Sequence, residues 1–167
     1  TDWMNVHTKA ILACKIPSHH TRQQAYMGVA LYESVVAGDP AYKSLAGQLN
    51  GYNQVPAVPD TKNFCWQASA NAAMAETFRF FYPENPLTLQ RIDSMQQACE
   101  KQLISQGFSE TSIKAGDAYG LQVARGVIEW SKTDGADHVS DPYALPKGSG
   151  LYEPTPPMNM SPILPHM

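Results

Sequence analysis

Apolar residues recur every three to four positions along most of this chain, and the pattern stops near residue 135. Trp3, Val6, Ala10 and Ala13 keep helical spacing, with Thr1 or Asp2 available as a cap, and Pro17 ends that segment. Ser18 can cap a second helix. There Ala25, Val29, Tyr32 and Val36 form one stripe, Met27 and Leu31 widen it, and Gly38-Asp39-Pro40 terminates it. Residues 41–59 read as a loop, broken by Gly47, Asn50-Gly51, Pro56 and Pro59 and pinned by Tyr42, Leu45, Leu49, Tyr52 and Val55.

A third helix is expected from Asp60 or Thr61 to about Tyr82. Its Phe64, Ala68, Ala72 and Ala75 share one side, while Ala70, Ala73, Met74, Phe78 and Phe81 lie on others. Alanines on several faces let neighbouring helices approach from all round, so this segment should be the centre of a bundle. Pro83 and Pro86 stop it. Thr88 then caps a fourth helix with a narrow stripe of Leu89, Ile92, Cys99 and Leu103, ending at Gly107. Ser109 caps a fifth, with Ile113, Gly116, Gly120, Val123, Val127 and Trp130 on one face and Gly135 beyond its end. Mid-helix glycines cost about 1 kcal/mol each relative to alanine, so Gly116 and Gly120 point to close helix–helix contact. With no strand-like alternation and no repeat period, the fold class is all-α: about five helices over residues 1–135.

Residues 136–167 break the pattern. Seven of the thirteen prolines lie between Pro142 and Pro165, which rules out helix and central strand. Tyr143, Leu145, Leu151, Tyr152, Met158, Met160, Ile163 and Leu164 punctuate the same stretch, unlike the polar composition of a flexible linker. The expectation is a Pro-rich extended arm lying along another surface and leading to a companion catalytic half beyond residue 167.

Composition narrows the function. Charged residues make up 16% of the chain and the net charge is −3, with Lys and Arg scattered, so no nucleic-acid footprint is present. No apolar run approaches the ~18 residues of a membrane span. The chain opens on Thr1, and the expectation is a periplasmic or secreted location after removal of a signal, with a cytoplasmic location as the alternative. Cys14, Cys65 and Cys99 lack metal-ligand spacing and sit at apolar helical positions, where buried thiols are expected ahead of one disulfide.

Candidate chemistry is sparse. His19 and His20 are adjacent, so on a helix they point about 100° apart and cannot share a metal from one face; capping and surface roles are expected. Asp134, Asp137, His138 and Asp141 read as a solvated turn without the ligand order of a calcium loop. Ser69 and Ser94 lie in helices with no base in view, and Arg22, Arg79, Arg91 and Arg125 sit one per segment rather than converging. No residue is assigned a catalytic, cofactor-binding or metal role.

Three stretches nonetheless resemble the helical front half of the vanadium-dependent haloperoxidase and type 2 phosphatidic acid phosphatase superfamily. They are Ala25 to Val36 (AYMGVALYESVV) with Tyr42 to Asn50 (YKSLAGQLN); Gly120 to Trp130 (GLQVARGVIEW) followed by Asp134-Gly135; and Tyr152 to Pro157 (YEPTPP) with Leu164-Pro165-His166. The superfamily builds its oxyanion pocket from Lys six residues before Arg-Pro, then Pro-Ser-Gly-His, then Ser-Arg five residues ahead of His. None of these is in this sequence; Pro17-Ser18-His19-His20 mimics the middle motif with His19 in place of glycine and in the wrong order. The resemblance therefore implies a non-catalytic helical part that packs against and shapes a phosphate- or vanadate-binding half, with vanadate, if any, held there and no cofactor in this chain. The alternative is an all-α binding or scaffold module without enzymatic activity. Phosphatase against haloperoxidase chemistry, the substrate and the oligomeric state are left open by these residues.

Overall fold

The computed structural model describes residues 2–13, 20–58, 64–83, 85–136 and 143–157. Among them are five α-helices: α1 Asp2–Ala13, α2 His20–Glu33, α3 Trp66–Phe81, α4 Pro86–Ser105 and α5 Glu110–Ser131. A 3-10 turn, Val36–Gly38, follows α2. The described residues form no sheet; Leu49 and Tyr52 make one isolated bridge. The fold is all-α. No described helix is long and apolar enough to cross a membrane.

Helix α3 is the centre. Ala68, Ala72, Ala73 and Ala75 are fully buried on different sides of it, and α2 and α4 both pack along it. On a third side, α5 comes close at Gly116 and Gly120. A Cβ at Gly116 would lie 3.0 Å from the Ala68 methyl and run into the Cys65 carbonyl; at Gly120 it would meet the Ser69 backbone. The glycines exchange helix propensity for backbone-to-backbone approach. Asn71 Nδ2 also donates to the Gln96 carbonyl at 3.0 Å, tying α3 to α4.

Aromatic rings fill the gaps between helices. Trp3 of α1 stacks on Phe78 with centroids 5.4 Å apart, and Trp130 of α5 meets Tyr26 and Tyr52 at 4.9 Å each. Such pairs add about 0.5–1.5 kcal/mol beyond the area they bury. The Trp130 indole N–H also donates to the Asn50 carbonyl at 3.0 Å, fastening the loop after α2 to the end of α5.

Four details differ from the sequence expectation. The stripe of α2 is rotated: Met27 and Val36 are buried as expected, but Ala25 and Leu31 are exposed, Val29 and Tyr32 are half-buried, and Tyr26, Ala30, Glu33 and Ser34 also turn inward. Apolarity alone set the expected phase, whereas Glu33 and Ser34 turn inward because hydrogen bonds satisfy them there. Helix α3 begins at Trp66 with Cys65 as its N-cap, so Phe64 precedes the helix instead of lying in it. Pro86 does not merely stop α3; it occupies the first turn of α4, and the cap is Asn85, whose Oδ1 accepts the Thr88 N–H at 3.0 Å. Of the residues expected to pin the loop, Tyr42 is 62% exposed, whereas Tyr52 is buried and Leu49 and Val55 pack against the core. Ser109 does cap α5, accepting the Ser112 N–H at 3.1 Å.

Thr1–Trp130 and Ser131–Met167 are two compact units. Within the second, the Ala136 N–H bonds to Asp134 Oδ1 at 3.0 Å, and Gly148 to Leu151 form a turn closed at 3.2 Å. Residues 143–157 contain no helix or strand and leave Tyr143, Leu151 and Tyr152 largely exposed. Asp137, His138, Asp141 and the arm from Met158 onward lie outside the described residues, as do Cys14, Ser18 and His19.

Candidate functional site

The most concentrated polar group in the interior joins three helices. His7 comes from α1, His20 opens α2, and Tyr82 caps α3. Both imidazoles are buried, His7 at 3% exposure and His20 at 8%. His20 lies nearly parallel to the Tyr82 ring at 6.3 Å, and His7 meets Tyr82 edge-on at 6.2 Å and Phe78 at 5.8 Å. Gln24 Nε2 is 3.3 Å from His7 Nδ1, and Gln23 Oε1 is 3.2 Å from His20 Nδ1, while both Nε2 atoms are buried without a hydrogen-bond partner. Burial, and secondarily His20, holds the His7 pKa below its ordinary value, which keeps the ring neutral. The surface role expected for His20 is thus corrected: its ring covers Tyr82 and contributes packing area. Beside His7, an apolar cavity of about 270 Å³ opens between Met4, Met27, Leu31, Met74 and Phe78. The Tyr82 hydroxyl lies 3.5 Å from His20 Nδ1, so the cluster is joined by hydrogen-bonding groups as well as by ring packing.

A second buried polar centre anchors the loop after α2. The Glu33 carboxylate is fully buried, accepting the Ser44 hydroxyl at 2.9 Å and the Leu45 N–H at 2.5 Å. Tyr32 reinforces it by donating to the Lys43 carbonyl at 2.8 Å. Burial and then the Glu33 charge push the phenol pKa of Tyr119 up; Tyr52 is raised by the same two causes in that order. All of Glu33's bonds go to its own loop, so it holds structure. On α5, burial and then Glu100 raise the half-buried Asp117 to about 6.

The remaining sequence candidates are dispersed. Arg79 pairs with Asp93 at 2.7 Å, Arg125 with Glu76 at 3.3 Å, and Arg22 lies over the Tyr26 and Phe81 rings. The buried Ser69 hydroxyl donates to the Ser34 carbonyl at 2.7 Å and is thereby tied to backbone. Cys65 is buried and Cys99 half-buried, and neither is in a disulfide. Among the described residues no three His, Cys, Asp or Glu side chains group closely enough to hold a metal. A tightly held vanadate or phosphoryl trianion needs several cations aimed at one point, and Arg22, Arg79 and Arg125 are each aimed at a separate partner, so these three do not fit such a group.

Sequence reasoning passed over His7, Glu33 and Asp117. For His7 a signal existed: with Trp3 and Ala10 it keeps the spacing of the buried face of α1. For the two carboxylates none did, because an isolated acid on a helix ordinarily faces water.

The bundle, the alanine-lined centre and the glycine crossing belong to an all-α, haloperoxidase-like fold. Specifically, 98% of the chain is similar to the crystal structure of a bacterial vanadium-dependent iodoperoxidase, with a TM-score of 0.72 and 29% sequence identity. The chain spans 39% of the length of that protein. It matches no family sequence model and no curated protein sequence.

Proposed function

We propose that this chain is the non-catalytic helical part of a haloperoxidase- or phosphatase-like enzyme, packing against a second half that carries the phosphate or vanadate pocket. The observation that carries the reading is the pairing of coverages: nearly all of this chain corresponds to well under half of the iodoperoxidase. The dispersal of the arginines supports it, since the pocket chemistry then has to come from elsewhere. In this reading the helices give the second half a rigid surface, and the Pro-rich arm continues toward it.

The coding sequence downstream of Met167 tests this directly. Lys-x6-Arg-Pro followed by Pro-Ser-Gly-His is the expected finding, and the full product should oxidise iodide with peroxide or hydrolyse a phosphate ester while residues 1–167 alone do neither. A stop codon, with no separately encoded partner, overturns the proposal in favour of a binding or scaffold module.

A further inference from the structure

Helices α1 and α4 do not close completely on each other. Between them runs an open groove of about 430 Å³, within the ~300–1,000 Å³ range of small-molecule sites. Its floor is apolar: Val6 is buried, and Met95 packs against the same core cluster. Its walls are polar, with Asn5 and Lys9 on α1 and Gln90, Arg91 and Ser94 on α4, and no carboxylate lines it.

The two cations are the unusual part. Every described ion pair uses another base: Arg79 with Asp93, Lys114 with Glu110, and Arg125 with Glu76. Asp93, two residues from Arg91, is engaged by Arg79 at 2.7 Å. Lys9 and Arg91 therefore face one groove from opposite walls with no described carboxylate between them, in a chain whose net charge is −3. Two like charges held across a shared concavity repel, and an anion between them removes that repulsion.

We infer that the α1–α4 groove binds a small amphipathic oxyanion, a doubly charged head on a short apolar body. Arg91 offers a planar fork to two oxygens and Lys9 a compact charge from the other side. Asn5, Gln90 and Ser94 supply neutral hydrogen bonds around the head, and the body lies over Val6 and Met95. The α4 wall, Gln90 to Ala98, is little more than two turns, roughly 12 Å at the helical rise. That length suits a phenyl or short alkyl phosphate better than a docked helix of several turns. The assignment does not depend on the proposed parent enzyme, because every contact comes from this chain.

The test is a titration of the chain with phenyl phosphate, followed by the backbone amide resonances of Ser94 and Met95. Inorganic phosphate and phenol serve as head-only and body-only probes. Saturation in the range of roughly 0.1–1 mM is expected, with each control at least about tenfold weaker. Arg91→Met and Lys9→Met should each weaken binding roughly five- to tenfold, and Lys114→Met should not change it; added salt should weaken it further. Melting curves verify that the variants stay folded. No saturation by about 10 mM, equal binding by Arg91→Met, or inorganic phosphate binding as tightly as phenyl phosphate overturns the inference. So does tighter binding of an acidic peptide, which would make the groove a protein-docking surface.

Discussion

Replacing Gly120 with alanine should destabilise the protein even though alanine is the better helix former. A Cβ built at Gly120 lies 2.9 Å from the Ser69 carbonyl carbon and 3.0 Å from its Cα, with the carbonyl oxygen nearer still. The obstacle is backbone in the first turn of the central helix, so no side chain can rotate away. Ser69 is also held on both sides, its hydroxyl bonded to the Ser34 carbonyl at 2.7 Å and its N–H to the Cys65 carbonyl at 3.1 Å. Relief requires α5 to shift off α3, which loosens the packing of the buried Val123 and Val127 further along the same face. Overpacking against fixed backbone falls in the upper part of the usual range, about 2–3 kcal/mol, and the gain in helix propensity of about 1 kcal/mol offsets part of it. The expected net loss is about 1–2 kcal/mol, or a fall of roughly 2–8 °C in melting temperature for a chain of this size. Gly126 is the matched control. It lies in the same helix with nothing within 4 Å of its built Cβ, so Gly126→Ala should gain about 1 kcal/mol. Urea denaturation of both variants, followed by far-UV circular dichroism, measures the pair. A midpoint for Gly120→Ala at or above wild type would refute the close crossing.

Glu33→Ala should cost about 3 kcal/mol, because the Ser44 hydroxyl and the Leu45 N–H lose a buried charged acceptor; a thermal melt reads the loss, and trypsin cleavage after Lys43 should accelerate. His7, with its folded pKa below the ordinary 6.5, gives stability that is complete above pH 6.5 and lost as pH falls from there through the lower folded pKa. Urea midpoints from pH 8 to about pH 5 should therefore decline, and His7→Phe should flatten the decline; an unchanged slope would remove the buried-neutral account. Asp117 acts with the opposite sign: a folded pKa raised from 3.8 to about 6 gives stability that is full below 3.8 and lost as pH rises through 6. Its unscreened linkage of about 3 kcal/mol shrinks with partial exposure, so Asp117→Asn should stabilise by about 1 kcal/mol at pH 8 and by little at pH 4. In the arm, proteolysis after the exposed Lys147 should be fast in the chain alone and slow with the proposed companion half present; equal rates would make the arm a linker.

Helix number and order were legible because apolar spacing and proline punctuation act locally. Ala68, Ala72 and Ala75 on α3, and Gly116 and Gly120 on α5, marked two helices that neighbours approach closely, since small residues inside a helix have few other uses; that these two cross each other came only from the structure. Phase was harder. The inward turn of α2 depends on Glu33, whose partners Ser44 and Leu45 lie in the loop, and on Ser34, whose hydroxyl bonds back to Leu31 and whose carbonyl accepts from Ser69 on α3, so no window of apolar residues could show it. The cap of α4 was misplaced by three residues because Asn85 and Thr88 are both good caps, and only the bond from Thr88 N–H to Asn85 Oδ1 decides between them. The resemblance carried by residues 25–36 and 120–130 identified the kind of fold that the iodoperoxidase comparison supports. The histidine cluster was less legible, because His7, His20 and Tyr82 lie far apart in sequence and meet only once α1, α2 and α3 have packed.

The alanines of α3 also set what it costs to order the middle of the molecule. An alanine side chain has no rotamers to lose on burial, whereas a leucine or isoleucine gives up about 0.5–1 kcal/mol of conformational freedom. Ala68, Ala72, Ala73 and Ala75 therefore let the most heavily surrounded helix settle at little side-chain entropy cost. The long side chains that do lose freedom, such as Trp3, Tyr26, Phe78 and Trp130, are placed where neighbouring helices meet. There each ring is immobilised against a partner from another segment, so side-chain order is acquired only as the helices assemble. The helix with the most neighbours has the fewest side-chain states to choose among.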